Sequence, residues 1–105
     1  MLLNKPLSQE WKEAADDWVD KDAAARILEE TKSLRFAQEC AALGEMAVNK
    51  SEQIVKASPA WAEEVKNIVN ARTKANKARV LMDSIKMRHS EHMNEEANHR
   101  AEARL

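Results

Sequence analysis

All three histidines of this 105-residue chain fall in one stretch near its C-terminal end. His89, His92, Glu96 and His99 recur at i, i+3, i+7 and i+10, a spacing that puts them on one face of an α-helix. Imidazole and carboxylate are good ligands for zinc or iron, and Glu96-x-x-His99 has the local form used in four-helix di-metal sites. Such sites also take carboxylates from facing helices. Glu29, Glu30 and Glu39 are the acids that could supply them, but no second Glu-x-x-His occurs in the chain. An ordinary polar helix end is the simpler reading, so neither a metal nor a cofactor is expected.

A second constellation is basic: Arg72, Lys74, Lys77, Arg79, Lys86 and Arg88. Arg72, Arg79 and Lys86 repeat every seven residues and form a line, with Lys74 and Lys77 to either side. Neutralising phosphates is the chemistry such a stretch offers nucleic acid. No aromatic residue follows Trp61, however, so this segment lacks the stacking platforms that single strands use. The competing readings are ion pairing with the acidic stretch Glu10 to Asp22, within one chain or across a dimer, and plain solvation. Structural pairing is the preferred one, with nucleic acid kept as the alternative.

Trp11, Trp18 and Trp61 are the large aromatic anchors, read as core or interface residues because each can bury a large area. Cys40 shares an apolar face with Phe36 and Leu43, which suits a buried, inert thiol. The chain has no Gly-rich phosphate loop, nucleophile elbow or Cys-x-x-Cys. A non-enzymatic protein is expected.

The elements that must position these residues follow from composition. Gly occurs once, Pro twice and Tyr never, while charged residues make up 33% of the chain. Such a turn-poor composition points to long helices or coiled coil, with no strands. The net charge is −1, but it is unevenly spread. Residues 1–53 carry seven Lys or Arg against eleven Asp or Glu, and residues 54–105 carry ten against seven. A single cysteine excludes an intrachain disulfide, no apolar run suits a signal peptide, and none reaches the roughly 20 residues of a membrane span. The expectation is a soluble cytoplasmic protein without membrane partners.

Read in order as one helical domain, the chain begins with an arm over 1–7. A short helix over 8–19, capped by Ser8, follows, with Trp11, Ala14, Ala15 and Trp18 on one face; it either stops near Val19 or bends into the next helix. A second helix spans 22–43, with Asp20 or Asp22 as its cap. Its stripe runs through Ala24, Ile27, Leu28, Thr31, Leu34, Gln38 and Ala41, and Gly44 ends it as a residue with positive φ. A connector over 45–57 holds a short helix capped by Ser51. Ser58-Pro59 then opens a long helix over 59–100, because Ser satisfies free N–H groups and Pro at the first position has none to lose. Residues 101–105 form a tail.

Along the long helix, Trp61, Val65, Ile68, Ala71, Ala75, Ala78, Met82, Ile85, His89 and His92 keep a 3–4 spacing, the seam of a coiled coil or antiparallel pair. Val69, Val80, Leu81 and Met87 lie outside it. The expected fold is all-α: an elongated antiparallel hairpin with a short N-terminal helix, forming a bundle-like or coiled-coil-like oligomer. Ile68, Met82 and Ile85 join the tryptophans as packing or interface anchors. The seam from Trp61 to Ala78 should pack within the protomer, Arg79 to Met93 should meet a second chain, and Asn94 to Leu105 should depend on a partner for order.

Ala71-Arg-Thr-Lys-Ala-Asn-Lys-Ala-Arg-Val80 and Asn94-Glu-Glu-Ala-Asn-His-Arg-Ala-Glu-Ala-Arg-Leu105 resemble the C-terminal parts of small helical proteins encoded by bacteriophages and prophages. Some of these lie among recombination or replication genes. The resemblance implies a bacterial host cytoplasm and an accessory role around DNA metabolism, and it assigns no functional residue. The resulting expectation is a homo-oligomeric adaptor acting through protein–protein contacts, with a nucleic-acid-binding accessory protein as the alternative.

Overall fold

The computed structural model describes residues 6–103. It contains four helices: α1 (Leu7–Glu30), α2 (Lys32–Ala42), α3 (Val48–Ala57) and α4 (Pro59–Ala103). The extents are 82 × 30 × 17 Å with a radius of gyration of 23.3 Å, against roughly 13 Å for a compact chain of about 100 residues. The fold is an elongated all-α hairpin. The expected arm falls almost wholly on residues outside those described, as does the end of the tail.

The start of α4 follows its local signals. The Ser58 hydroxyl accepts the N–H of Trp61 at 3.2 Å and donates to the carbonyl of Val55 at 2.7 Å, linking the end of α3 to the start of α4. Pro59 is the first helical residue. The end of α2 is equally local: Gly44 has φ +87° and donates to the carbonyl of Ala41. A Cβ at Gly44 would meet nothing within 4 Å, so the constraint there is purely one of backbone conformation. Gly44→Ala is expected to cost about 1 kcal/mol in urea unfolding, the penalty of holding an L-residue at positive φ.

The expected division into helices over 8–19 and 22–43 is corrected. One helix runs from Leu7 to Glu30, and the break falls at Thr31. Asp20 and Asp22 do not cap a new helix. Lys21 pairs with Asp17 at 2.7 Å and Arg26 with Asp22 at 3.1 Å, both one turn apart, and these pairs support continuity through the acidic stretch. At Thr31 the hydroxyl donates to the carbonyl of Ile27 at 2.7 Å, the back-bonding that bends helices. Arg35 holds the bend by donating to the Leu28 carbonyl at 2.7 Å while ion-pairing with Glu64 of α4.

Two capping expectations fail as well. Pro6, not Ser8, precedes α1 and accepts the N–H groups of Gln9 and Glu10 through its carbonyl. Ser51 lies inside α3, buried, with its hydroxyl donating to the carbonyl of Val48; Ala47 occupies the cap position.

The helix paired with α4 along the hairpin is α1, running antiparallel to it, whereas α2 packs mainly on α3. The main core is narrow: Ala25 of α1, with Ile68, Ala75, Ala78 and Ile85 of α4. Ala25 and Ala75 are fully buried, small residues that allow two helices to approach closely. At the other end the Phe36 and Trp61 rings tilt together with centroids 5.1 Å apart, and Val55 of α3 is buried. The stripe expected over 22–43 is not the buried face: Ile27 and Leu34 are 63% and 58% exposed. Before the bend α1 turns Trp18, Asp22, Ala25 and Glu29 toward α4, which leaves Ile27 on the far side, and the bend at Thr31 resets the phase for Leu34.

Candidate interaction surface

The basic stretch of α4 divides by side-chain type. Its three arginines turn toward α1. Arg72 donates from Nε and Nη2 to both carboxylate oxygens of Glu29, at 2.9 and 2.6 Å, and from Nη1 to Asp22 at 2.7 Å. One planar fork thus ties together two acids seven residues apart on α1. Arg79 lies over the Trp18 ring at 6.0 Å, within cation–π range. Arg88 pairs with Glu10 at 3.0 Å. Lys66, Lys74, Lys77 and Lys86 are exposed and take no part in these pairs.

The electrostatics of the Arg72 fork have a pH signature. Hydrogen bonding from Arg72 is the largest influence on both Asp22 and Glu29 and holds each carboxyl below its ordinary value of 3.8 or 4.5, partly opposed by desolvation. The same bonds raise Arg72. Because the folded-state values are depressed, the stabilisation is fully present above the ordinary carboxylate range and is lost as pH falls through the lowered values. In thermal melts taken from neutral pH downward, Arg72→Met is expected to melt below the parent near neutrality. The difference should narrow as pH falls below the ordinary carboxylate range and close as it passes through the lowered values. A gap independent of pH would mean that packing, not charge, is what Arg72 supplies.

The anchors are placed unevenly. Trp61, Ile68 and Ile85 are buried, Trp18 and Met82 half-buried. Trp11 is 38% exposed and lines a groove of about 250 Å³ with Leu7, Ser8, Lys86 and His89. With α1 reaching this groove, the stretch expected to need a second chain is already covered on its seam side as far as Ile85 and Arg88. Cys40 is half-buried rather than enclosed.

Past the groove at His89, α4 projects beyond the other described elements, and every residue from Lys86 to Ala103 is exposed. His92 Nε2 lies 3.1 Å from Glu96 Oε1. Among the described residues, His89, His92, Glu96 and His99 form no group of three donors that could hold a metal. The acids considered as further ligands are elsewhere. Antiparallel packing sets Glu29 against Arg72, Glu30 lies one residue on, and α2 with Glu39 packs near the start of α4. None of these three acids therefore faces the motif.

The solvent side of α4 carries the residues left outside the seam. Val69, Val80, Leu81 and Met87 are 57%, 68%, 53% and 65% exposed. Thr73, Asn76, Lys77 and Val80 line a shallow groove there. Glu29 as the second arm of the Arg72 clamp, and the Arg35–Glu64 pair, were not expected from the sequence. The first had a usable signal, since Asp22 and Glu29 stand one heptad apart on the face that also carries Trp18 and Ala25.

The fold and surface define a class: an extended antiparallel helix pair with a closed seam and a basic, partly apolar outer face. In comparison with known proteins, no family model, no curated sequence and no solved structure matches the chain. No helix among the described residues is long and apolar enough to cross a membrane.

Proposed function

We propose that the protein is a non-enzymatic, self-associating helical adaptor that works through the outer face of α4. The supporting observation is the exposure of Val69, Val80, Leu81 and Met87 on a helix whose opposite side is satisfied by α1. Charged side chains surround these four, which suits an amphipathic interface better than a buried core. The resemblance to phage-encoded helical proteins supplies the setting, a bacterial cytoplasm and a role accessory to DNA recombination or replication. Sedimentation equilibrium across the micromolar range tests the reading. Mass should exceed the 11.9 kDa of one chain, and Val80→Glu combined with Met87→Glu should lower it. A monomer at every concentration overturns it.

The unpaired Lys66, Lys74, Lys77 and Lys86 favour a second reading, a nucleic-acid-binding accessory protein. Binding through four phosphate contacts would weaken with salt at a log–log slope of about −3 to −4. No DNA binding at low salt removes this reading.

A further inference from the structure

We infer that the occupant of α4's outer face is the outer face of α1 from a second copy of this chain, an inference that rests on the self-associating adaptor reading. The argument is charge complementarity in register. On α4, Lys66, Lys77 and Val80 point away from α1, and the stretch from Lys66 to Met82 contains no acidic residue. On α1, Asp16, Asp20, Ile27 and Glu30 occupy the side away from α4, and all four are exposed. Among the described residues, Asp20, Glu30, Lys66 and Lys77 take no part in the ion pairs.

The offset within the chain places Glu10 against Arg88 and Trp18 against Arg79. A second copy added with the same antiparallel offset would set Asp20 across from Lys77, Ile27 across from Val69, and Glu30 across from Lys66. Two ion pairs would flank one apolar contact, and Ile27 and Val69, both more than half exposed, would be covered. Because the two faces differ and lie on opposite sides of the hairpin, the contact is head-to-tail. It propagates from copy to copy instead of closing as a two-fold dimer.

Charge reversal on either face, followed by mixing, tests this. The wild-type chain should show a weight-average mass that rises with concentration without a plateau at twice the monomer, and falls as salt rises. Asp20→Lys with Glu30→Lys, and separately Lys66→Glu with Lys77→Glu, should each return the mass to that of one chain. An equimolar mixture of the two should restore assembly, because each reversed face then meets its complement. All four positions are exposed, and far-UV circular dichroism checks that helicity is retained. A wild-type plateau at twice the monomer mass, variants that associate like wild type, or a mixture that stays monomeric each overturns the face assignment while leaving self-association standing. A wild-type monomer throughout overturns the adaptor reading as well.

Discussion

Trp61→Ala is expected to destabilise the protein by about 3–5 kcal/mol, the range for truncating a large buried aromatic. Trp61 is 9% exposed, tilts against Phe36, and stands in the first turn of α4, where its N–H is held by the Ser58 hydroxyl. It is the main contribution of α4 to the cluster that holds α2 and α3. α2 has no buried residue of its own, and α3 only Ser51 and Val55. Removing the indole therefore leaves Phe36 without its aromatic neighbour and this end of the hairpin without a centre. Urea unfolding followed by far-UV circular dichroism measures the loss. Hydrogen exchange should show α2 and α3 opening before α1. A loss below about 1 kcal/mol would mean that the cluster contributes little to stability.

Ala75→Leu is the second large effect, expected at about 1–3 kcal/mol and acting through overpacking rather than a cavity. Ala75 and Ala25 are both fully buried, in the section of the hairpin that the Arg72 clamp also spans. Three added carbons there must push α1 and α4 apart, stretching the bonds from Arg72 to Asp22 and Glu29. The control is Ala97→Leu, the same change on the exposed projecting end of α4, where the expected effect is within about 0.5 kcal/mol. Equal effects at the two positions would show that the alanine contact is not close.

How far the fold was legible depended on how local each signal was. Ser58-Pro59 and Gly44 were readable because a cap and a positive φ are decided by one or two residues and their own backbone. The α4 seam was readable over several turns for a related reason: Ile68, Ala75, Ala78 and Ile85 hold a regular spacing with no break to shift its phase. The division at residues 20–22 was misread because an aspartate can cap a helix or sit inside one. Asp22 is inside, engaged by Arg26 one turn away and by Arg72 from α4. The bend at Thr31 was hidden because Thr is ordinary in a helix until its hydroxyl back-bonds and a distant residue, Glu64, holds Arg35 in place.

The candidate surface divides in the same way. Composition and spacing were enough to mark Arg72 to Arg88 as basic and Val69, Val80, Leu81 and Met87 as lying off the seam. They could not say which cations were already engaged, since that depends on which helix faces α4 and at what offset. The sequence by itself determined an all-α chain, the start of its longest helix, the end of α2, and the face that α4 buries, because these rest on backbone propensity and periodicity along a single element. Only the tertiary structure decided that α1 is the long partner, that its acids engage the arginines, and that the lysines are left to solvent, because offset and pairing are set between elements far apart in the chain.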